Sequence, residues 1–290
     1  MRPSRPSPRV PRVALLGLGL GLGLALAGAA GCSTAAGGTR APGGPAAAAV
    51  DRAVRQTEAA DSLRYTITGR APEQGRIRAE GWVGARPAVG RVRITTLGGA
   101  EPGTLELRLV GRHLYSSMSA EAVRESHGRH WLDFGPTAKF RSGGGLRVDM
   151  TAMRDEAGHN PVREAAFLTA AKDIHRTGTE TVEQTRTTHY TGTVTVAELR
   201  RRLRDQDGPG RAGRQQSLDV YAKQGVDELT LDVWLDGRDQ VSRQRVRGFG
   251  RHGEFDLTVT FHDVGAPVRV RAPATADTVD VREPAHRPGH

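Results

Sequence analysis

ELTLDVWLDGRDQVSRQRVRGFG, residues 228–250, runs almost directly into GEFDLTVTFHDVG, residues 253–265. In the second segment Phe255, Leu257, Val259 and Phe261 are spaced two apart. In the first, Leu231 and Val233 keep the same spacing and Asp236-Gly237 supplies a tight-turn dipeptide between two alternating runs. Side chains two apart share a face in a strand but not in a helix, so this stretch predicts long antiparallel strands joined by a hairpin.

The same period extends upstream. SLRYTITG (62–69) places Leu63, Tyr65 and Ile67 on one side, and GRIRAEGWVG (75–84) does so with Ile77, Ala79 and Val83. GRVRITTL (90–97) offers Val92 and Ile94, TLELRLVG (104–111) offers Leu105, Leu107 and Leu109, and RHLYSSM and RHWLDF follow. Turns such as APEQG, GARPA and GGAEPG separate them, the pattern of a meander. Helical text is confined to a few places. Residues 48–63 read as an N-terminal helix with Val50, Val54 and Thr57 on one face. Asn160 is a good N-cap, Pro161 suits a first turn, and Val162, Ala165, Leu168 and Ile174 then fall on roughly one face. After strands in TGTETVEQ and RTTHYTGTVTV, the segments 197–206 and 213–225 read as helices parted by the breaker DGPG. Helices intrude on one meander rather than alternating with strands. The expectation is an α+β fold: one strongly curved antiparallel sheet, a half-open β-barrel, with helices packed on its concave face.

The chain of 290 residues begins MRPSRPSPRVPR, with four arginines and no acid, and continues into an apolar run over 13–30. That is the layout of a secretory signal peptide. The run GLGLGLG superficially suggests a nucleotide loop, but no strand precedes it and no phosphate-binding residue follows. Ala29-Ala30-Gly31-Cys32 holds the only cysteine. The four residues resemble a bacterial lipobox, in which the thiol takes a diacylglyceryl group and becomes the new N-terminus. A lone cysteine forms no internal disulfide. Two acyl chains at ~0.8 kcal/mol per buried CH₂ would hold the protein on a bilayer. STAAGGTRAPGGPAAAA then reads as a tether reaching about 20–25 Å if random.

The expected organisation is a signal peptide over 1–31, lipidated cysteine and flexible tether over 32–47, a half-barrel domain over 48–272 and a polar tail over 273–290. Four of the arginines behind the net charge of +10 lie in the leader. The rest alternate with acids and apolar residues along strands, a solvated sheet face rather than a nucleic-acid surface. No nucleic-acid partner is expected, and mild attraction to anionic headgroups is. The ten histidines include no HExxH or HxH, and there is no GxSxG, so neither cofactor, metal nor catalytic residue is predicted. His189, in TTHYTG, reads as a hydrogen-bonded strand residue.

GTETVEQTRTTHYTGTVTVAELRRRL (178–203) resembles a run in actinobacterial lipoproteins that links a strand pair to a helix, and SLRYTITG, GRIRAEGWVG, LELRLVGRHLYSSM, HWLDF and LDVWLDGRDQVSRQRV resemble the same group. Its best-known members are mycobacterial lipid-binding lipoproteins of the LppX and LprG type, distantly similar to the periplasmic lipoprotein carriers of the LolA and LolB type. The resemblance covers about 51–272. It departs at VEQTRTT, where glutamine replaces a common turn glycine, and at TVTVAEL, where threonine replaces an aspartate before the helix. The resemblance implies a hydrophobic cavity for acylated lipids between sheet and helices. Its candidate lining is Leu63, Tyr65, Ile67, Leu105, Leu107, Leu109, Leu168, Leu231, Val233, Phe255, Leu257 and Val259. The expected function is a binding module on the outer face of the cell membrane, anchored through Cys32, taking up a lipid or other amphiphile, with room for a partner in envelope transport. The alternative is a structural or regulatory lipoprotein in which those residues simply fill the core.

Overall fold

A computed structural model describes residues 44–98, 102–142, 147–204 and 211–282 of the chain. The signal segment, Cys32 and most of the tether lie outside the described residues. Fourteen strands appear among them. These are β1 (Ser62–Ala71), β2 (Gly75–Gly84), β3 (Val89–Leu97), β4 (Gly103–Val110), β5 (His113–Ser117), β6 (Trp131–Asp133), β7 (Lys139–Arg141), β8 (Arg147–Asp149), β9 (His175–Val182), β10 (Thr185–Thr195), β11 (Glu228–Leu235), β12 (Val241–Gly250), β13 (Gly253–His262) and β14 (Thr278–Asp280). Twelve form one open sheet in the order β14-β6-β5-β4-β3-β2-β1-β13-β12-β11-β10-β9, and β7 and β8 pair separately. Every pairing in the large sheet is antiparallel except β14 with β6. The sheet curls strongly: Glu183, at the tip of the β9–β10 hairpin, reaches His262 at the end of β13, three strands away, at 3.0 Å. The fold is the α+β half-open barrel that the alternation predicts.

Helices α1 (Gly44–Glu58), α4 (Val196–Arg204) and α5 (Arg211–Lys223) and a 3-10 helix, Pro161–Ala170, cover one end of the concave face, over β1 and β10–β13. Their buried residues, among them Val50, Val54, Leu168, Leu199 and Leu218, close on Leu63, Leu229, Leu231, Val233 and Phe255. Each such aliphatic side chain contributes roughly 1.5–3 kcal/mol on burial. A second core lies under α3 (Thr151–Ala157), where Met150 and Ala157 meet Val92, Leu107, Leu114 and Phe134. Here Gly90 is required: a Cβ on it would stand 1.7 Å from the carbonyl oxygen of Ala157.

Several expectations are corrected in detail. Helix α1 begins at Gly44, inside the segment read as tether, because Ala47 is buried with Val50 and Val54 and the alanine run favours helix. The helix after Asn160 is a 3-10 helix, whose period of three is the period of the buried Val162, Ala165 and Leu168 and leaves Ile174 beyond its end. Asn160 Oδ1 caps it by accepting from the Val162 amide at 3.1 Å. Between β11 and β12 the chain makes a five-residue loop rather than a two-residue turn. Asp236 organises it, its Oδ1 accepting from the amides of Arg238 and Gln240, and the left-handed residue is Asp239, at φ 56°, rather than Gly237. The segment read as a polar tail is partly ordered: 275–280 forms a 3-10 turn and then β14, held by His130 on Asp277 at 2.7 Å. The helix α2 (Ala120–Glu125), α3, and the β7–β8 pair were not legible in the sequence.

The two family departures have different physical weight. Thr195 caps α4, its Oγ1 accepting from the Glu198 amide at 3.2 Å, as an aspartate would. The β9–β10 turn instead places two side-chain-bearing residues, Glu183 and Gln184, at φ 45° and 67°. A left-handed non-glycine residue costs about 1–2 kcal/mol. Gln184→Gly should therefore raise unfolding stability by about 1 kcal/mol, read as a higher denaturant midpoint at unchanged slope.

Candidate functional site

The registers of five strand pairs assemble the concave face into rows. Phe261, Tyr65, Gly81, Val92, Leu107 and Ser116 stand side by side across β13, β1, β2, β3, β4 and β5. All six are buried, and the Tyr65 ring lies across Gly81 so closely that a Cβ there would be 2.1 Å from its Cζ. The next row is Val259, Ile67, Ala79, Ile94 and Leu105, one residue from each of five adjacent strands. Four strand spacings make that row about 19 Å long. Beyond it stand Leu257, Gly69, Ile77 and Thr96.

In this second region Val259 and Ala79 are buried, while Ile67, Ile77, Ile94, Leu105 and Leu257 are only partly buried. Ile67, Ile77 and Leu257 lean on the helix-covered core, while Ile94 and Leu105 lean on the core under α3. An apolar strip thus runs from one core to the other across the concave face.

The twelve candidate lining residues divide accordingly. Leu63, Tyr65, Leu168, Leu231, Val233, Phe255 and Val259 belong to the first core, with Ile67 and Leu257 packed against it. Leu107 belongs to the second, with Leu105 and Leu109 at its margin. Between the 3-10 helix and β11–β12, where Ala165 faces Leu231 and Val233, no space large enough for a water molecule remains. Ile77, Ala79 and Ile94 on the strip were read as strand faces without being named as lining.

The opposite face is charged and interlocked. Glu106, whose side chain is 4% exposed, takes Arg91 at 2.9 Å, Arg93 at 2.9 Å and Arg108 at 2.8 Å. Arg91 also lies over the Trp82 ring and Arg108 over Trp131. His189 stacks on Trp234 at 4.3 Å and presents its two ring nitrogens to Glu180 and Asp232, at 2.8 and 2.9 Å, while Arg247 closes on Asp232 at 2.7 Å. The ring is held as a structural strand residue, as read in the sequence. Burial raises the Glu106 carboxyl, but the hydrogen bonds and charges of Arg91 and Arg108 outweigh it and hold it below the ordinary carboxylate range. Asp232 is lowered in the same way, burial being overcome by hydrogen bonds from Arg247 and His189.

A depressed carboxyl stabilises the fold fully above its unfolded pKa and less as pH falls toward the folded value. Melting temperature should therefore be level above about pH 5 and drop below about pH 4. Glu106→Gln should make that acid limb shallower.

A third polar group is internal. Ser217 Oγ donates to Glu164 Oε1 at 2.6 Å, with His159 at 3.5 Å and the Tyr221 hydroxyl at 3.5 Å on the same carboxylate. The serine meets the carboxylate directly. The cluster clips the 3-10 helix to α5, and nothing in local spacing announced it.

No known family model matches the chain. An uncharacterized 31.2 kDa protein of Streptomyces griseus is 29% identical over 182 residues, covering 62% of this chain and 58% of that relative's length. The match therefore spans less than two thirds of that relative. A Streptomyces coelicolor protein provisionally named a lipoprotein is 28% identical over 259 residues, 84% of this chain and 79% of the other. Among solved structures, LprF from Mycobacterium bovis aligns over 81% of this chain and 99% of its own at TM-score 0.49 and 15% identity. The Mycobacterium tuberculosis lipoprotein LppX aligns over 78% and 98% at TM-score 0.46 and 13% identity. The chain is similar to actinobacterial lipoproteins, the resemblance read at 178–203.

Proposed function

We propose that this chain is an extracytoplasmic lipoprotein, anchored through acylated Cys32 to the outer face of the cell membrane. On this reading it is a binding protein rather than an enzyme, and it holds the apolar part of a lipid or other amphiphile. The observation that carries the reading is the concave strip, in which Ile67, Ile94 and Leu105 form one cross-strand row and stay partly exposed although both adjoining cores are packed. A strip of about 19 Å suits an extended acyl chain lying across the strands. The charged outer face offers no comparable surface. The filled-core alternative accounts for Leu231 and Val233, and the strip is what it leaves unexplained.

Native mass spectrometry of the chain extracted from its own membrane tests this. A population heavier by the mass of a lipid is expected, and Ile94→Gln with Leu105→Gln should reduce it at least tenfold while the fold persists. A wild-type chain carrying only its covalent acyl groups would favour the filled-core reading.

A further inference from the structure

A cavity of about 520 Å³ opens on a different part of the molecule, between α4, the end of α5 and the turn joining β12 to β13. Its lining combines the apolar Val196, Ala197, Ala222 and Val226 with four arginines, Arg200, Arg201, Arg204 and Arg251, and the single acidic residue Asp227. Two of these arginines are partly neutralised: Arg201 pairs with Glu198 on its own helix, and Arg200 with Asp219 at 2.6 Å. Arg200 still keeps Nε buried without a hydrogen-bond partner. Among the described residues neither Arg204 nor Arg251 has an ion-pair partner.

The backbone is shaped to hold Arg251 there. Its amide donates to the carbonyl of Gln224 at 3.0 Å, docking the β12–β13 turn on the end of α5. A Cβ on Gly250 would stand 2.2 Å from that same oxygen, and one on Gly225 would stand 2.5 Å from Arg251 Cγ. Gly225 also takes φ +70°, a conformation that side-chain-bearing residues rarely adopt. Two glycines thus let a hairpin arginine lie against a helix end. At the same end of the hairpin Phe249 is 77% exposed, an apolar group two residues from the charge.

We propose that this cavity binds a phosphate group, carried on a lipid headgroup or free in solution. Guanidinium groups converge on phosphate oxygens with paired donors, and apolar lining residues lower the competition from water. The inference rests on the charge and shape of this cavity and is independent of the concave strip, so either can fail alone.

The test is calorimetric titration of the full chain in nonionic detergent, at constant ionic strength, with inorganic phosphate and with dihexanoylphosphatidic acid. Saturable binding at one site is expected. Arg204→Gln with Arg251→Gln should weaken it at least tenfold at an unchanged melting temperature, since both side chains are exposed. Should that pair destabilise the fold, Arg251→Lys alone should weaken binding severalfold, because lysine keeps the charge and loses the paired donors. Affinity at least tenfold higher for the lipid identifies a headgroup as the source, and equal affinity identifies free phosphate. Absence of saturable binding by both, or binding that the double arginine variant leaves intact, would overturn the proposal.

Discussion

Cys32→Ala should move the protein from the membrane fraction to the soluble fraction almost completely. Electrostatic attraction is the other means of attachment, and it is screened within about 10 Å at 0.1 M salt, whereas acyl insertion is insensitive to salt. Two acyl chains make the anchored state effectively permanent, so the expected change is from nearly all bound to nearly all free after a high-salt wash. A Cys32→Ala chain that stays with the membrane through that wash contradicts the lipobox reading and returns the apolar leader as an uncleaved anchor.

The second large effect is on stability. Leu231 is 2% exposed, on the interior strand β11, with Val246 opposite it on β12 and Ala165 of the 3-10 helix beside it. Leu231→Ala removes buried methyl groups from a region that holds no water-sized space, so the cavity term adds to the transfer term. The cost should be about 2–5 kcal/mol, a fall of roughly 5–15 °C in melting temperature for a domain of this size. Val233→Trp would overpack the same site at typically 1–3 kcal/mol. A residue lining an open cavity has fewer contacts to lose. A Leu231→Ala variant that melts like the wild type would mean that the sheet and helices part in solution.

Much of the fold was legible because strand alternation is local. The spacing of Phe255, Leu257, Val259 and Phe261 set the face of β13, and Leu63, Tyr65 and Ile67 that of β1. Burial at Val162, Ala165 and Leu168 fits periods of both 3 and 3.6 over so short a run, which is why the 3-10 helix read only as a helix. What stayed hidden depends on distant partners. The segment TVD of β14 has no pattern of its own and becomes a strand by pairing with β6 across more than 140 residues of chain. The division of Leu105 and Leu231 into separate cores follows from the placement of α3, which the sequence did not announce. Likewise, residues 197–206 read only as a helix, and the docking of Arg251 beside its arginines is what makes a cavity.

The strip across β13, β1, β2, β3 and β4 is the central claim, and photo-crosslinking tests it most directly. The chain would be loaded with a phospholipid bearing a diazirine in its acyl chain, irradiated, digested and mapped by mass spectrometry. Crosslinks concentrated on Ile67, Ile77, Ile94, Leu105 and Leu257 are the predicted result. Crosslinks confined to the charged outer face, or spread without preference over both faces of the sheet, would contradict it.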